Sequence, residues 1–548
     1  MGISIAPSVH TLSNGDQYWT HAFDRFICKV FIPAGGHPLS DIINFGFMAP
    51  YLLVFEERNL TMDEEIAYAE ENGLAAIAKN ASSSVVFIYP TNESGWDGAD
   101  ENLFIDLIFE SRIQQYYESG MIKSRDRFTK AWGDRFIRGA IFRTFLIGKG
   151  KSADYIAKYL LKTINGLYLW GPGEITPTAV VLENLSQLPL IARRDIPVVS
   201  IGNTGEINRF IQDSCDHALI QETRSLACAY SDFLFRFKRW CGVLEKETLS
   251  EDLDLTEEFD AASVRTSPDN MGDDKGTLEH RIGYAVYYRK GLLDNGPVPL
   301  VLAFHGGGDS TFYLTRVSGW YRVAARNSFL LVAVENHLNS TASEMIQLIS
   351  ILKEKYPIDD QRIYATGFSM GGCKSWDLFQ EYPHVFAALA PMSATFEVGL
   401  NLYGQPAPKP INRDIPVPVF YAGGEITPLP ELPFQAQKCV DRIRYVFEVN
   451  GVTAPMDAEF ENKDTWSNPI WGVNGDRSTK IYDPSRDSTL TIQYFKSADG
   501  TYKTALASIS GQGHECREHT CEHAWQFMKQ FMKQFTREPA LFAPQTLQ

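Results

Sequence analysis

The run Gly367-Phe368-Ser369-Met370-Gly371 sets a serine between two glycines, each two positions away. A serine hydroxyl attacks a carbonyl efficiently only when it stands clear on a tight turn with a base in reach, and small flanking residues let the backbone make that turn. The pattern alone is weak, because a chain of this length holds one by chance about once in every five or six proteins. Its context is stronger. A β-branched run at 362–366 leads in, and a helical pattern at 372–381 leads out.

Such a turn leaves the N–H of Met370 at a helix start, without an intrahelical acceptor, where it can bind a developing oxyanion. A second donor is expected from His305-Gly306-Gly307-Gly308, directly after the apolar run 298–304. Glycines there let the backbone lie close to a substrate, with an N–H of Gly306 or Gly307 turned inward and His305 beside the bound molecule. Taken alone, the run is an ordinary glycine-rich strand end. Its place upstream of Ser369 is what makes it an oxyanion loop.

The general base is expected to be a histidine after the last core strand. His514, in Gly511-Gln512-Gly513-His514 after the run 505–510, fits that place, while His519 and His523 lie beyond the loop. The acid that orients the base should fall between nucleophile and base at a strand end. Glu425, after the run 417–422 and Gly423-Gly424, is the leading candidate, with Glu431 as rival and Asp441 more distant. An exposed glutamate is more often a surface charge, and Glu206 in a matching stretch of the first half points that way.

His514, Cys516, His519, Cys521 and His523 together suggest zinc chemistry, but their spacing matches no paired-ligand pattern, so no metal is expected. The eight cysteines are scattered, and thiols rather than a Cys516–Cys521 disulfide are expected. Met1-Gly2-Ile3-Ser4-Ile5-Ala6-Pro7 lacks the basic start and apolar stretch of an export signal, and no apolar run reaches the length of a membrane span, so a cytoplasmic protein without membrane contact is expected. A net charge of −16 without a basic stripe argues against nucleic-acid binding.

The elements that must position these residues come from alternating strand and helix patterns. In the second half, strands are expected at 282–289, 298–304, 329–334, 362–366, 387–391, 417–422 and 505–510, with helices at 343–355, 372–381 and 523–535. Strand, helix and strand in alternation predict an α/β fold with a mostly parallel sheet. A further strand pair, 490–496 and 502–505, is expected to turn at Asp499-Gly500, in a segment holding Trp466 and Trp471. Tryptophans there are more often packing residues; the sharper reading makes them walls of a substrate pocket.

Acidic residues between Glu245 and Asp260 suggest a linker at 245–265 between an α/β domain at 1–244 and another at 266–548. The first half reads as a diverged copy of the second. Residues 194–199, leading to Gly205-Glu206-Ile207, match 413–417, leading to Gly424-Glu425-Ile426. The segments 143–147, 152–161 and 166–170 mirror the elements around Ser369. Gly150 then stands in the place of Ser369, and Glu56-Glu57-Arg58 in that of the His-Gly-Gly-Gly run. A half without chemistry is left to cover the active site, brace its neighbour or build a homodimer interface.

Together, 298–308, Ser318-Gly319-Trp320 with Ala324-Ala325, Tyr356-Pro357-Ile358-Asp359 before Arg362-Ile363-Tyr364, 367–372, and Gly513-His514 with Trp525-Gln526-Phe527 resemble the polyhydroxybutyrate-depolymerase and feruloyl-esterase group of α/β hydrolases. They resemble the prolyl-oligopeptidase catalytic domain more distantly. The resemblance runs from about Gly276 to Phe535 and implies cleavage of a small or oligomeric carboxylic ester, short-chain, hydroxyalkanoate or cinnamoyl in type, without a cofactor. That group usually carries Asp where Glu425 stands, its members are often secreted, and the first 250 residues lie outside its usual pattern. A prolyl-oligopeptidase-type peptidase would use the same residues, and a non-enzymatic binding scaffold would leave them idle.

Overall fold

The computed structural model describes residues 9–118, 139–168, 171–240, 242–394 and 396–533. They divide into two compact units. One takes the chain up to Leu253 with Phe259–Ala261 and Gly306–Val317; the other takes Asp254–Glu258, Ala262–His305 and the chain from Ser318 on.

The first unit is built on β1 (Val9–Thr11), β2 (Gln17–Ala22), β3 (Phe26–Ile32), β4 (Pro50–Phe55), β5 (Val85–Pro90), β6 (Ala140–Lys149), β9 (Ala179–Glu183), β10 (Val198–Ile201) and β11 (Ala218–Gln221). They form one sheet in the order β1-β2-β3-β5-β4-β6-β9-β10-β11. Two hairpins stand apart, β7 (Asn165–Tyr168) with β8 (Gly171–Glu174) and β12 (Phe237–Trp240) with β13 (Val243–Lys246). Successive side chains of a strand point to opposite faces. Accordingly Leu53, Phe55, Val86 and Ile88 enter one core and Leu52, Val54, Val85 and Phe87 the other. Burial on both faces explains why these strands read as unbroken apolar runs rather than alternating ones.

The second unit holds β14 (Leu255–Arg265), β15 (Glu279–Arg289), β16 (Val298–Phe304), β17 (Leu330–Val334), β18 (Ile358–Phe368), β19 (Ala388–Met392), β20 (Val419–Gly424), β21 (Arg477–Asp483), β22 (Ser488–Phe495) and β23 (Thr504–Ile509). Their order is β14-β15-β17-β16-β18-β19-β20-β23-β22-β21. From β17 to β23 every neighbouring pair is parallel, while β15 and β22 join antiparallel. A mostly parallel sheet flanked by helices, with a sharp strand-to-helix turn after β18, is the α/β-hydrolase fold.

Several elements differ from the sequence expectation. Much of the acidic stretch is not a connector: Val243–Lys246 pairs in a hairpin and Leu255–Arg265 is the edge strand β14. Edge strands carry charge, and Glu258 there accepts bonds from Tyr288 Oη (2.7 Å) and Tyr356 Oη (2.8 Å). β22 pairs with β23 itself, across a longer loop than the Asp499-Gly500 turn suggests. The last helix runs over Glu518–Met528, and residues beyond 533 lie outside the described ones. Gly166 belongs to the β7–β8 hairpin, Trp170 lies outside the described residues, and the strand beside β6 is β9. Among the described residues no helix is long and apolar enough to cross a membrane.

The two sheets share a seven-strand order. β3-β5-β4-β6-β9-β10-β11 repeats β15-β17-β16-β18-β19-β20-β23, with the same single antiparallel pair at the start. Equivalent main-chain bonds fix the register: Gly150 N–H to Glu183 O and Ser369 N–H to Met392 O, both 2.9 Å; Asn184 N–H to Ile201 O and Ser393 N–H to Ala422 O; Val180 N–H to Pro197 O and Leu389 N–H to Pro418 O. This register pairs Pro197 with Pro418, two residues past the Pro416 that the sequence match selects, so Glu206 is not the counterpart of Glu425.

The helix Met370–Glu381 is enclosed along most of its length. Lys374, fully buried, donates to Ser340 O and lies 3.6 Å from Asp377. Burial pushes the Asp377 carboxyl up to about 6 and, with the Asp377 charge adding to it, that of Glu381 up to about 7. A carboxyl with a raised folded value favours folding fully below its unfolded value, and loses that contribution as pH rises through the folded one. Glu381→Gln is therefore expected to raise the melting temperature at pH 8 by about 1–3 °C more than at pH 5. Thermal unfolding at both pH values checks this, and equal shifts at the two would refute it.

Candidate active site

Ser369 sits at the turn between β18 and the helix Met370–Glu381 with φ 54° and ψ −117°. A residue with a Cβ rarely holds such backbone angles, which cost about 1–3 kcal/mol. The flanking glycines explain how the turn persists. A Cβ on Gly367 would lie 2.2 Å from Gly371 O, and one on Gly371 would lie 2.0 Å from Phe304 O and 2.6 Å from His305 O. The helix start thus presses directly on the end of β16. Met370 N–H has no acceptor among the described residues, as the first residue of a helix requires.

His514 Nε2 accepts from Ser369 Oγ at 2.8 Å. On the other side of the ring, Nδ1 donates to Glu431 Oε1 at 2.5 Å, which fixes the tautomer with Nε2 free to take a proton. The imidazole packs on Phe368 at 4.8 Å between centroids. The loop carrying it lies close against the end of β20: a Cβ on Gly424 would meet Gln512 O at 2.5 Å and Gly513 O at 2.3 Å. Glu431 is fully buried, and its second oxygen accepts Gly424 N–H at 2.9 Å.

The carboxylate that meets His514 is therefore that of Glu431 and not that of Glu425. After β20 the chain continues along the end of β23, with Glu425 N–H bonded to Ile509 O and Ile426 N–H to Gln512 O. It then returns through Thr427-Pro428-Leu429-Pro430, bringing Glu431 back beneath Gly424. Sequence reasoning looked for the acid at the strand end itself. The two prolines, which break any continuing strand or helix, are the signal that marks the return.

His305 is buried and spends its ring nitrogen on structure: Nε2 donates to Glu335 O at 2.8 Å, and the ring packs against His337 at 4.4 Å. Gly306 and Gly307 open the segment that belongs to the first unit. Trp471 is a core residue, 1% exposed and 6.1 Å from the Tyr421 ring, so it walls no open cleft. Trp466 is half-buried and donates Nε1–H to Glu459 O at 2.9 Å. Cys516 and Cys521, both buried, stand with sulfurs 3.5 Å apart as thiols. Among the described residues no group of His, Cys, Asp and Glu is arranged to hold a metal ion.

An aligned hydroxyl, imidazole and buried carboxylate can pass a proton off the serine as it attacks, which is nucleophilic acyl chemistry. No protein-family model matches the chain. Over 148 residues it is 28% identical to a bifunctional acetylxylan esterase/xylanase of Neocallimastix patriciarum; the match covers 25% of this chain and 20% of that protein, so the chain spans about a fifth of the relative's length. Among solved structures, it is similar to an acetyl xylan esterase from Aspergillus awamori at 14% identity and a TM-score of 0.30, covering 49% of this chain and 99% of that one. An S-formylglutathione hydrolase from Staphylococcus aureus gives 15%, 0.26, 35% and 86% in the same order, and a ferulic acid esterase 14%, 0.25, 35% and 84%.

The two glutamates separate experimentally. Glu431→Gln is expected to slow fluorophosphonate labelling of Ser369 by about a hundredfold or more, since the wrong tautomer then faces the serine. Glu425→Gln should stay within about twofold of the parent. Labelling rates followed by gel fluorescence test both, and the reverse ranking would return the acid's role to Glu425.

Proposed function

We propose that the second unit is a serine ester hydrolase working through an acyl-enzyme. The observation that carries this reading is the continuous line Ser369 Oγ, His514, Glu431 at 2.8 and 2.5 Å, starting from a serine held at positive φ. Ser369 Oγ bonds to the ester carbonyl carbon while His514 Nε2 takes the hydroxyl proton, and Glu431 stabilises the imidazolium that forms. The oxyanion takes the N–H of Met370, which stands free at the helix start. His514 then protonates the departing alcohol. Water, deprotonated by the same nitrogen, splits the acyl-enzyme and frees the acid.

The partial match to an acetylxylan esterase favours a short acyl ester, acetyl first, carried on a small or oligomeric alcohol. Cinnamoyl esters have less support, because Trp471 is enclosed in the core. The reading calls for no metal and no organic cofactor.

The first unit is proposed to be a copy of the same fold without its chemistry. Gly150 takes the place of Ser369 with φ 56° and ψ −124°, and Asn184 (φ 55°) that of Ser393 (φ 48°). A Cβ at Gly150 would stand 3.1 Å from Glu57 Oε2, so the space a nucleophile needs is held by a carboxylate. After β11 the first unit contains no histidine. Arg224 is there instead, bound to Glu183 (2.8 Å), Tyr68 Oη (3.1 Å) and Asn72, with Lys149 on the other oxygen of Glu183 (3.3 Å).

Both parts are open to one experiment. Turnover of 4-nitrophenyl acetate is expected to exceed that of the matched anilide and to fall by about four orders of magnitude or more in Ser369→Ala, at an unchanged melting temperature. A fluorophosphonate should label one site per chain and none in that variant. Ester turnover surviving in Ser369→Ala, or a second labelled serine, would overturn the respective part.

A further inference from the structure

Arg442 lies on the helix Gln437–Asn450, wholly enclosed. A guanidinium taken out of water normally demands a carboxylate in direct contact. Its hydrogen bonds go instead to two main-chain carbonyls: Nη1 donates to Ala394 O and Nη2 to Glu431 O at 2.7 Å. Arg442 Cζ lies over the Tyr421 ring, 4.8 Å from its centroid, and Tyr421 Oη reaches the same two carbonyls, at 3.1 Å for Ala394 and 2.7 Å for Glu431.

The two carbonyls have nothing in common except the site. Glu431 supplies the carboxylate on His514. Ala394 is two residues past Met392, whose carbonyl holds the N–H of Ser369. The remaining atoms of Glu431 are equally constrained: its N–H donates to Gln435 Oε1 at 2.8 Å, and Cys439 Sγ–H bonds the preceding Pro430 O at 3.1 Å. The proline-containing loop is thus held at Pro430, Glu431 and Leu432, around the residue with the functional carboxylate.

We infer that Arg442 is the positioning residue of this site, pinning Glu431 and the strand exit beside Ser369 to one another while leaving a cation close behind the carboxylate. The inference rests on the proposed Ser369–His514–Glu431 reading. A fork with fixed donors suits the task, because its two Nη atoms are held in one plane at a set spacing, which the rotating point charge of a lysine does not provide. The titratable groups facing Arg442 are Glu431, Tyr421 on β20, Cys373 on the helix Met370–Glu381 and Cys439 on its own helix. Burial pushes the Tyr421 hydroxyl and the Cys439 thiol up, which keeps both neutral, and the cation's field falls on the Glu431 carboxylate and the histidine bound to it.

Arg442→Met is expected to lower kcat for 4-nitrophenyl acetate between about ten- and a hundredfold with KM within about twofold, since a displaced acid misorients the base. Removing a cation behind the imidazole also favours its protonated form, so the acid limb of the kcat/KM profile should move to higher pH. Arg442→Lys should keep the limb in place and recover part of kcat. A folded Arg442→Met with the parent's kcat and limb overturns the inference; so does an equal loss in both variants with the limb unmoved, which would indicate packing alone. If Arg442→Met does not fold, Arg442→Lys and Tyr421→Phe decide: lower kcat at the parent's melting temperature supports the inference, and an unchanged kcat overturns it. Ser369→Ala is run alongside, because activity remaining there would bring down the reading itself whatever Arg442 does.

Discussion

The second unit's chemistry depends on how closely the chain after Ser369 can press against the ends of its neighbouring strands. Gly371 meets the carbonyls of Phe304 and His305, Gly367 meets Gly371, and the N–H of Ser369 is tied to Met392. Those contacts leave the serine no relaxed conformation and turn its hydroxyl toward the loop that carries His514. The strain is sustained by a sheet buried on both faces, whose strands cannot shift without opening a core. A distorted residue at the mouth of a rigid sheet is thus a product of packing before it is a feature of catalysis.

The sequence made the main axis of this arrangement readable. β16 begins and ends where the apolar run does, and the helix after Ser369 and the strand before His514 fall within two residues of expectation. β16 carries its signal in residue type alone, since every one of its positions is buried and apolar. β14 was unreadable for the opposite reason: its Glu257, Glu258 and Asp260 are half-buried charges of an edge strand, which resembles a linker until Tyr288 and Tyr356 are seen to bind Glu258. Glu431 was missed as first choice because a return loop, and not a strand end, delivers it. No local pattern records that Gly424 and Glu431 meet.

The charges of the site follow one economy. Glu431 gives one oxygen to the imidazole and one to an amide, and Arg442 bonds to its carbonyl rather than its carboxylate. A guanidinium placed directly on those oxygens would compete with His514 for them. Set one residue's width away, it lends a field and a fixed backbone without taking a lone pair.

Gly150 and Asn184 extend the meaning of the distorted turn beyond the second unit. Gly150 carries no nucleophile, yet the chain bends there through nearly the same angles as at Ser369, at no steric cost to a glycine, with its amide tied to the same neighbouring carbonyl. The bend thus belongs to the crossover geometry that the two sheets share. A backbone outlier at such a strand exit marks where a reactive side chain can be installed, and only the side chain tells whether one has been.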